Sequence, residues 1–305
     1  MQYVRQELLD FTYTNLTDTY LPYNAATTYT FEAGTPTNAS VVRFGTYYYR
    51  SLINGNVGND PELTENVKWL KYGISNKYAM LDLSSQTVSK FTAGNLIVEF
   101  KQGTMGTLGI GNYSAQEIRI EQLDITGIVQ SSITVGVTLN NLVTDYWTYM
   151  YTTYGYEGDK AIKITFATKA DRIRVTFIKS SESPFAGCGF LVAGTPVGMG
   201  ESLYGVNFKF NSYALKERDD FGTLKITKRA VQDLVDFETV IPASSLMSYK
   251  RGIKGIYNDI IMFILDEREN SAYESMLVLG IIQDASVILS NPVQTIISWS
   301  IMEAI

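Results

Sequence analysis

The sequence predicts a mainly β protein: an N-terminal β-sandwich of jelly-roll type, followed by a smaller α+β domain with one main helix. Three observations predict it. Short segments that alternate apolar and polar residues recur between residues 67 and 180, with Gly, Asn or Asp between them. The composition suits half-buried strands, with 21 tyrosines and only 18% charged residues. After Ser180 the pattern changes, and a single stretch of helical spacing follows.

Residues 1–60 are rich in Tyr, Thr and Asn, with Pro22 and Pro36 as breakers. They read as short strands and long loops that pack on the sandwich. Asp60-Pro61-Glu62 opens a turn. The sandwich is predicted over 61–180, with strands at Val67–Tyr72, Leu96–Lys101, Gln116–Thr126, Ser132–Leu139, Tyr146–Tyr154, Ala161–Thr168 and Arg172–Ile178. Alternation is clear in Ile118-Arg119-Ile120-Glu121 and in Ile162-Lys163-Ile164-Thr165-Phe166. The segments 162–166 and 173–177 read as a hairpin joined across Lys169-Ala170-Asp171.

Ser181-Glu182-Ser183-Pro184 and the glycines that follow predict a linker over 181–205. An α+β assembly domain is predicted over 206–305. Its helix spans Ala243–Ile256: Pro242 precedes it, Leu246, Tyr249, Ile253 and Ile256 share one face, and basic residues lie near its end. Extended segments are predicted at Ile226–Ile241, Asn258–Asp266, Ser275–Ser290 and Gln294–Ile301. One helix covers one face of such a sheet, so the other face is expected to need a partner.

The chain has no histidine and one cysteine, Cys188. That removes Ser-His-Asp, Cys-His and His-metal chemistry. Lys, Tyr and carboxylate chemistry survives, but no pair of carboxylates stands out, so no catalytic residue is assigned. Glu217, Asp219 and Asp220 beside Lys216 and Arg218 read as a charged loop rather than a metal site. Gly194–Gly200 lacks the Gly-Lys-Ser/Thr of a phosphate loop. No metal and no cofactor are expected. A net charge of -6, with Lys250, Arg251 and Lys254 as the tightest basic group, argues against nucleic acid. A single cysteine fits a reducing cytoplasm. The start lacks the apolar region of a signal peptide, and the apolar stretches near 258–265 and 275–289 do not suit membrane insertion. Low charge is common in all-β proteins, and equally in a subunit covered by neighbours; the second reading is preferred.

Two aromatic runs are the candidate binding residues. Trp69, Tyr72 and Tyr78 lie in one run, and Trp147, Tyr149 and Tyr151 share a face of the densest aromatic strand. Each set reads as core or subunit contact first and as a glycan platform second. In the first run Gly73 allows a turn, and Asn76 and Asp82 brace loops. Cys188, between Gly187 and Gly189, reads as a small buried apolar residue.

The run Trp69…Asn76-Lys77-Tyr78-Ala79-Met80-Leu81-Asp82 resembles a W-x-x-x-G-x-x-N-R-x-A-M-F-D segment of virion proteins of tailed bacteriophages. Val192-Ala193-Gly194 through Tyr204-Gly205-Val206, and then Tyr213-Ala214-Leu215-Lys216-Glu217-Arg218-Asp219-Asp220-Phe221-Gly222, follow in the order that the same class has. Lys77 replaces an Arg, Leu81 a Phe, and Asn211-Ser212 stands where an acidic residue is usual. The resemblance implies a tail or baseplate component with a carbohydrate-binding-like jelly roll, made in the host cytoplasm. Its partners would be other virion proteins and copies of itself. Recognition of a host-surface glycan is the alternative, and a carboxylate-based polysaccharide hydrolase the further one.

Overall fold

The computed structural model describes residues 1–7, 9–84, 86–136, 161–181, 183–203, 205–218, 224–265, 277–288 and 292–304. Within them the chain is mainly β-sheet with one short helix. The first strands serve three different sheets. β1 (Gln2–Val4) joins a sheet built by the C-terminal part, and β2 (Phe11–Thr14) joins the sandwich. β3 (Val41–Phe44), β4 (Tyr47–Ser51) and β5 (Trp69–Ile74) form a three-stranded sheet of their own. The segment predicted at Val67–Tyr72 therefore does not belong to the sandwich. Its tryptophan packs instead on Tyr23 and Tyr29.

The sandwich-like part comprises β6 (Ser89–Phe91), β7 (Leu96–Lys101), β8 (Thr107–Ser114), β9 (Glu117–Leu123), β10 (Val129–Gly136), β11 (Ala161–Thr165), β12 (Arg172–Ile178) and β13 (Ala186–Gly194). One sheet runs β10-β9-β12-β7-β2 and the other β11-β8-β13-β6, all antiparallel. Their inner faces share a core that includes Val98, Phe100, Ile120, Val175 and Phe177 from the first sheet and Leu108, Ile110 and Leu191 from the second. The strict alternation of β12 follows from one packed and one wetter face.

Two sequence expectations are corrected here. β11 and β12 are not a hairpin: β11 pairs β8 in one sheet, and β12 pairs β7 and β9 in the other. The chain arches between layers, held by two buried glutamines. Gln102 Oε1 accepts from Ala170 N–H at 2.7 Å, and the Gln122 amide donates to the Thr168 carbonyl at 2.8 Å. Two alternating segments with a short polar link look the same whether they pair or face each other across a core.

The second correction concerns the linker. Residues 186–194 form β13, in which every residue is buried. The strand lies in the middle of three layers. Leu191 and Ala193 face the sandwich core, while Phe190 and Val192 meet Val4, Met262, Ile264 and Leu279 of the C-terminal sheet. Burial on both faces erases alternation. The neighbouring layers also approach closely. A Cβ on Gly109 would lie 1.9 Å from Met262 Sδ, and one on Gly111 2.1 Å from Phe190 Cζ. Glycine here makes room for packing, and in the sequence it looks like a linker.

The C-terminal part holds β14 (Pro196–Gly198), β15 (Glu201–Ser202), β16 (Asn207–Ser212), β17 (Leu215–Arg218), β18 (Leu224–Thr227), β19 (Val231–Pro242), α1 (Leu246–Ile256), β20 (Ile261–Ile264), β21 (Leu277–Ile288) and β22 (Gln294–Glu303). An eight-stranded sheet runs β14-β1-β20-β21-β22-β19, with β15 and β16 both on the far edge of β19. The predicted order of strand, helix and three strands is present. Leu246, Tyr249, Ile253 and Ile256 of α1 lie on a core with Phe263, Ile282, Trp299 and Ile301. Lys250, Arg251 and Lys254 are exposed, as a solvated helix face requires. No helix among the described residues is long and apolar enough to cross a membrane.

Candidate functional site

The helix covers one face of the eight-stranded sheet, and the sandwich covers the other only near β1, β20 and the start of β21. Among the described residues nothing else covers that face. It holds a depression of about 340 Å³ lined mainly by Asn207, Asp236, Glu238, Asp284, Ser298 and Ser300. Register explains the lining. Asn207, Asp236, Ser300 and Asp284 stand opposite one another across β16, β19, β22 and β21. Glu238, Ser298 and Ser286 form the next row, two residues or about 7 Å along. Val240, Ile296 and Ile288 form the row after that, and Ile288 is 52% exposed.

The carboxylates differ in their surroundings. Asp236 is paired with Lys209 and accepts from Ser300 Oγ at 2.7 Å. The Lys209 ammonium, and then the Ser300 hydroxyl, hold the Asp236 carboxyl below its usual range. Glu238 accepts from Ser298 Oγ at 3.1 Å and, like Asp284, has no ion pair among the described residues. Trp299, beneath the depression, is buried, and its indole N–H donates to Thr239 Oγ1 at 2.8 Å. The face can therefore hydrogen-bond and attract cations. Among the described residues no group of three His, Cys, Asp or Glu is placed to hold a metal ion.

The predicted aromatic residues do not form one platform. Trp69 is fully buried, and its Nε1–H donates to the Asn59 carbonyl at 2.9 Å. Tyr72 is 47% exposed, with the Tyr20 ring edge-on at 6.5 Å. Tyr78 is half-buried, edge-on to Phe11 of the sandwich. Trp147, Tyr149 and Tyr151 lie outside the described residues, as do Asp219 and Asp220.

The Asn76 and Asp82 positions of the same run brace loops. Asn76 Nδ2 donates to the carbonyls of Thr17 and Lys90, and its Oδ1 accepts from Lys90 N–H at 2.8 Å. Ser89 Oγ accepts from Met80 N–H and donates to the Asn76 carbonyl. Asp82 accepts from Thr87 Oγ1 and Ser84 N–H. Burial outweighs these bonds and pushes the Asp82 carboxyl up. Its protonated form is thus favoured by folding, and this contribution grows as pH falls through the raised value. Asp82→Asn is expected to remove that share, read as a melting temperature that falls further below that of wild type as the pH drops from neutral to mildly acidic.

Cys188 is buried, its thiol 3.3 Å from the Phe190 carbonyl, and burial pushes its pKa far up. Native protein should resist alkylation by iodoacetamide, and denatured protein should react fully. Rapid native labelling would contradict the packing of β13.

No protein-family model and no curated protein matches the chain. Two solved structures are similar to it over 38% of its length. One is chitosan-binding module 1 from a chitosanase/glucanase of Paenibacillus sp. IK-5, at 18% identity and a TM-score of 0.25 over 81% of the module. The other is a selenomethionine-labelled point mutant of that module, at 16% identity and 0.26 over 82%. Scores this low leave ligand and mechanism to the chain's own residues.

The signal that sequence reading missed is the open face. Asp236, Glu238, Asp284, Ser298 and Ser300 lie far apart in sequence, and only register brings them together. The alternation of Asp236 and Glu238 with Val235 and Phe237 was visible and marks a wet face.

Proposed function

We propose that the chain is a non-catalytic assembly subunit of a tailed-phage particle, a tail or baseplate component that docks against neighbouring virion proteins. One observation carries the reading. All residues of β16, β17 and β18 are exposed, and apolar side chains are among them. Phe210 is 72% exposed, and Leu224 and Ile226 are 51% exposed. A two-stranded hairpin with no core of its own is at best marginally stable in water. Exposed apolar side chains grouped on such an arm mark a contact surface. The virion resemblance, whose charged motif falls on this same arm, supplies the kind of particle. Mass spectrometry of purified particles, with antibody labelling under the electron microscope, tests it. Peptides of the chain in the particle and label on the tail are expected. A chain found only outside particles would refute the reading.

A second reading, recognition of a host-surface glycan, draws on Tyr72, whose exposed ring could stack on a sugar. A glycan array repeated with Tyr72→Ala checks it: bound glycan lost on substitution supports it, and a blank array removes it.

A further inference from the structure

The exposed hairpin and the open acidic face are complementary, and both belong to this chain. Cross-strand register in the hairpin places Lys216 opposite Ile226 and Arg218 opposite Leu224. Directly opposed residues share a face, so one side of the hairpin carries Lys216, Arg218, Leu224 and Ile226. Neither cation has an ion pair among the described residues. The other side carries Leu215, Glu217, Lys225 and Thr227. The cationic side is thus also apolar.

The open face has the complementary chemistry. Its two carboxylates without ion pairs among the described residues, Asp284 on β21 and Glu238 on β19, stand in successive rows, about 7 Å apart along the strands and two strands, about 10 Å, across, within the span of a long Lys and a long Arg side chain. Exposed Ile288 and half-buried Ile296 lie in the next row, where aliphatic side chains of the hairpin would lose water. In its own chain the hairpin does not lie on this face, since all residues of β17 and β18 are exposed. β16 and β19 pair up to Ser212 and Val231, and Tyr213 N–H continues the ladder to the Ala230 carbonyl at 3.2 Å. The hairpin therefore carries on past the end of that ladder, away from the rows it matches.

We propose that the Lys216/Arg218/Leu224/Ile226 side of the hairpin in one copy docks on the Glu238/Asp284 face of a second copy. This rests on the assembly reading above and names one of its contacts. Two different patches meet, so the contact is head-to-tail: it closes into a ring or runs on as a filament. The charged pairs give register and orientation, and the aliphatic side chains exclude water between them.

The test is sedimentation velocity on the full chain over a range of concentrations, at low and high salt. Mass should rise with concentration and fall as salt screens the pairs. Lys216→Glu/Arg218→Glu and Glu238→Lys/Asp284→Lys should each associate at least about tenfold more weakly than wild type. Mixed in equal amounts, the two variants should associate again, because each hairpin then meets a face of opposite charge. Lys216→Ala/Arg218→Ala, which inserts no new charge, should weaken association less and serves if a reversal variant fails to fold. Variants that associate like wild type, or a mixture that stays apart, would overturn the contact. A wild-type chain that is monomeric at every concentration would also overturn it. Particle labelling would still decide the assembly reading.

Discussion

Trp69→Ala should cost about 3–5 kcal/mol of stability, a penalty that comes from deleting a buried indole. The side chain has no exposed surface, and it packs with Tyr29, Val42 and Tyr49 as the core of the three-stranded sheet. Tyr23 and Tyr29 meet its ring edge-on at 5.9 and 5.2 Å. Its removal also frees the Asn59 carbonyl that its N–H satisfies. Denaturant melting read by fluorescence and circular dichroism should show the loss, with residues 41–74 exchanging their amides faster. Trp69→Phe should recover part of it. A variant as stable as wild type that had lost a glycan ligand would instead make Trp69 a binding residue.

Phe190→Ala should be nearly as damaging, at about 3–5 kcal/mol, because the ring fills the joint between the central and eight-stranded sheets. The same ring covers Gly111, where an added Cβ would lie 2.1 Å from it. Gly111→Ala should therefore cost about 1–3 kcal/mol through overpacking. The two sites share one space, so their effects should not add. Gly111→Ala with Phe190→Leu should be more stable than the sum of the singles predicts. Simple additivity in a double-mutant cycle would mean that the ring does not cover Gly111.

Both predictions concern what the sequence hides. Where one face of a strand is wet, reading was direct: Leu96–Lys101 and Arg172–Ile178 fall at their predicted bounds, and the helix face of Leu246, Tyr249, Ile253 and Ile256 is the one that packs. Alternation and helical spacing record one interface each. β13 has two, so its record is a run of small and apolar residues that looks like a linker. Pairing partners are equally hidden. Nothing in Ile162–Phe166 and Ile173–Phe177 says that they lie in opposite sheets, and Gln102 and Gln122, which hold the arch, are distant in sequence. The open face shares that difficulty, since its rows of Asp236, Ser300 and Asp284 exist only through register. The arm was legible in part. The charged run Lys216-Glu217-Arg218 reads in the sequence as a loop, whereas it lies in β17 and its cross-strand pairing puts the two cations on one side and the glutamate on the other.

Amide hydrogen exchange over β16, β17 and β18 tests the central claim, that this arm is an assembly element, most directly. It should be measured in the dilute chain and in purified particles. The account predicts rapid exchange across Leu215–Thr227 in the dilute chain, where the hairpin has no cover, and marked protection in the particle. Equal, rapid exchange in both states would leave the arm free in the particle and contradict the account.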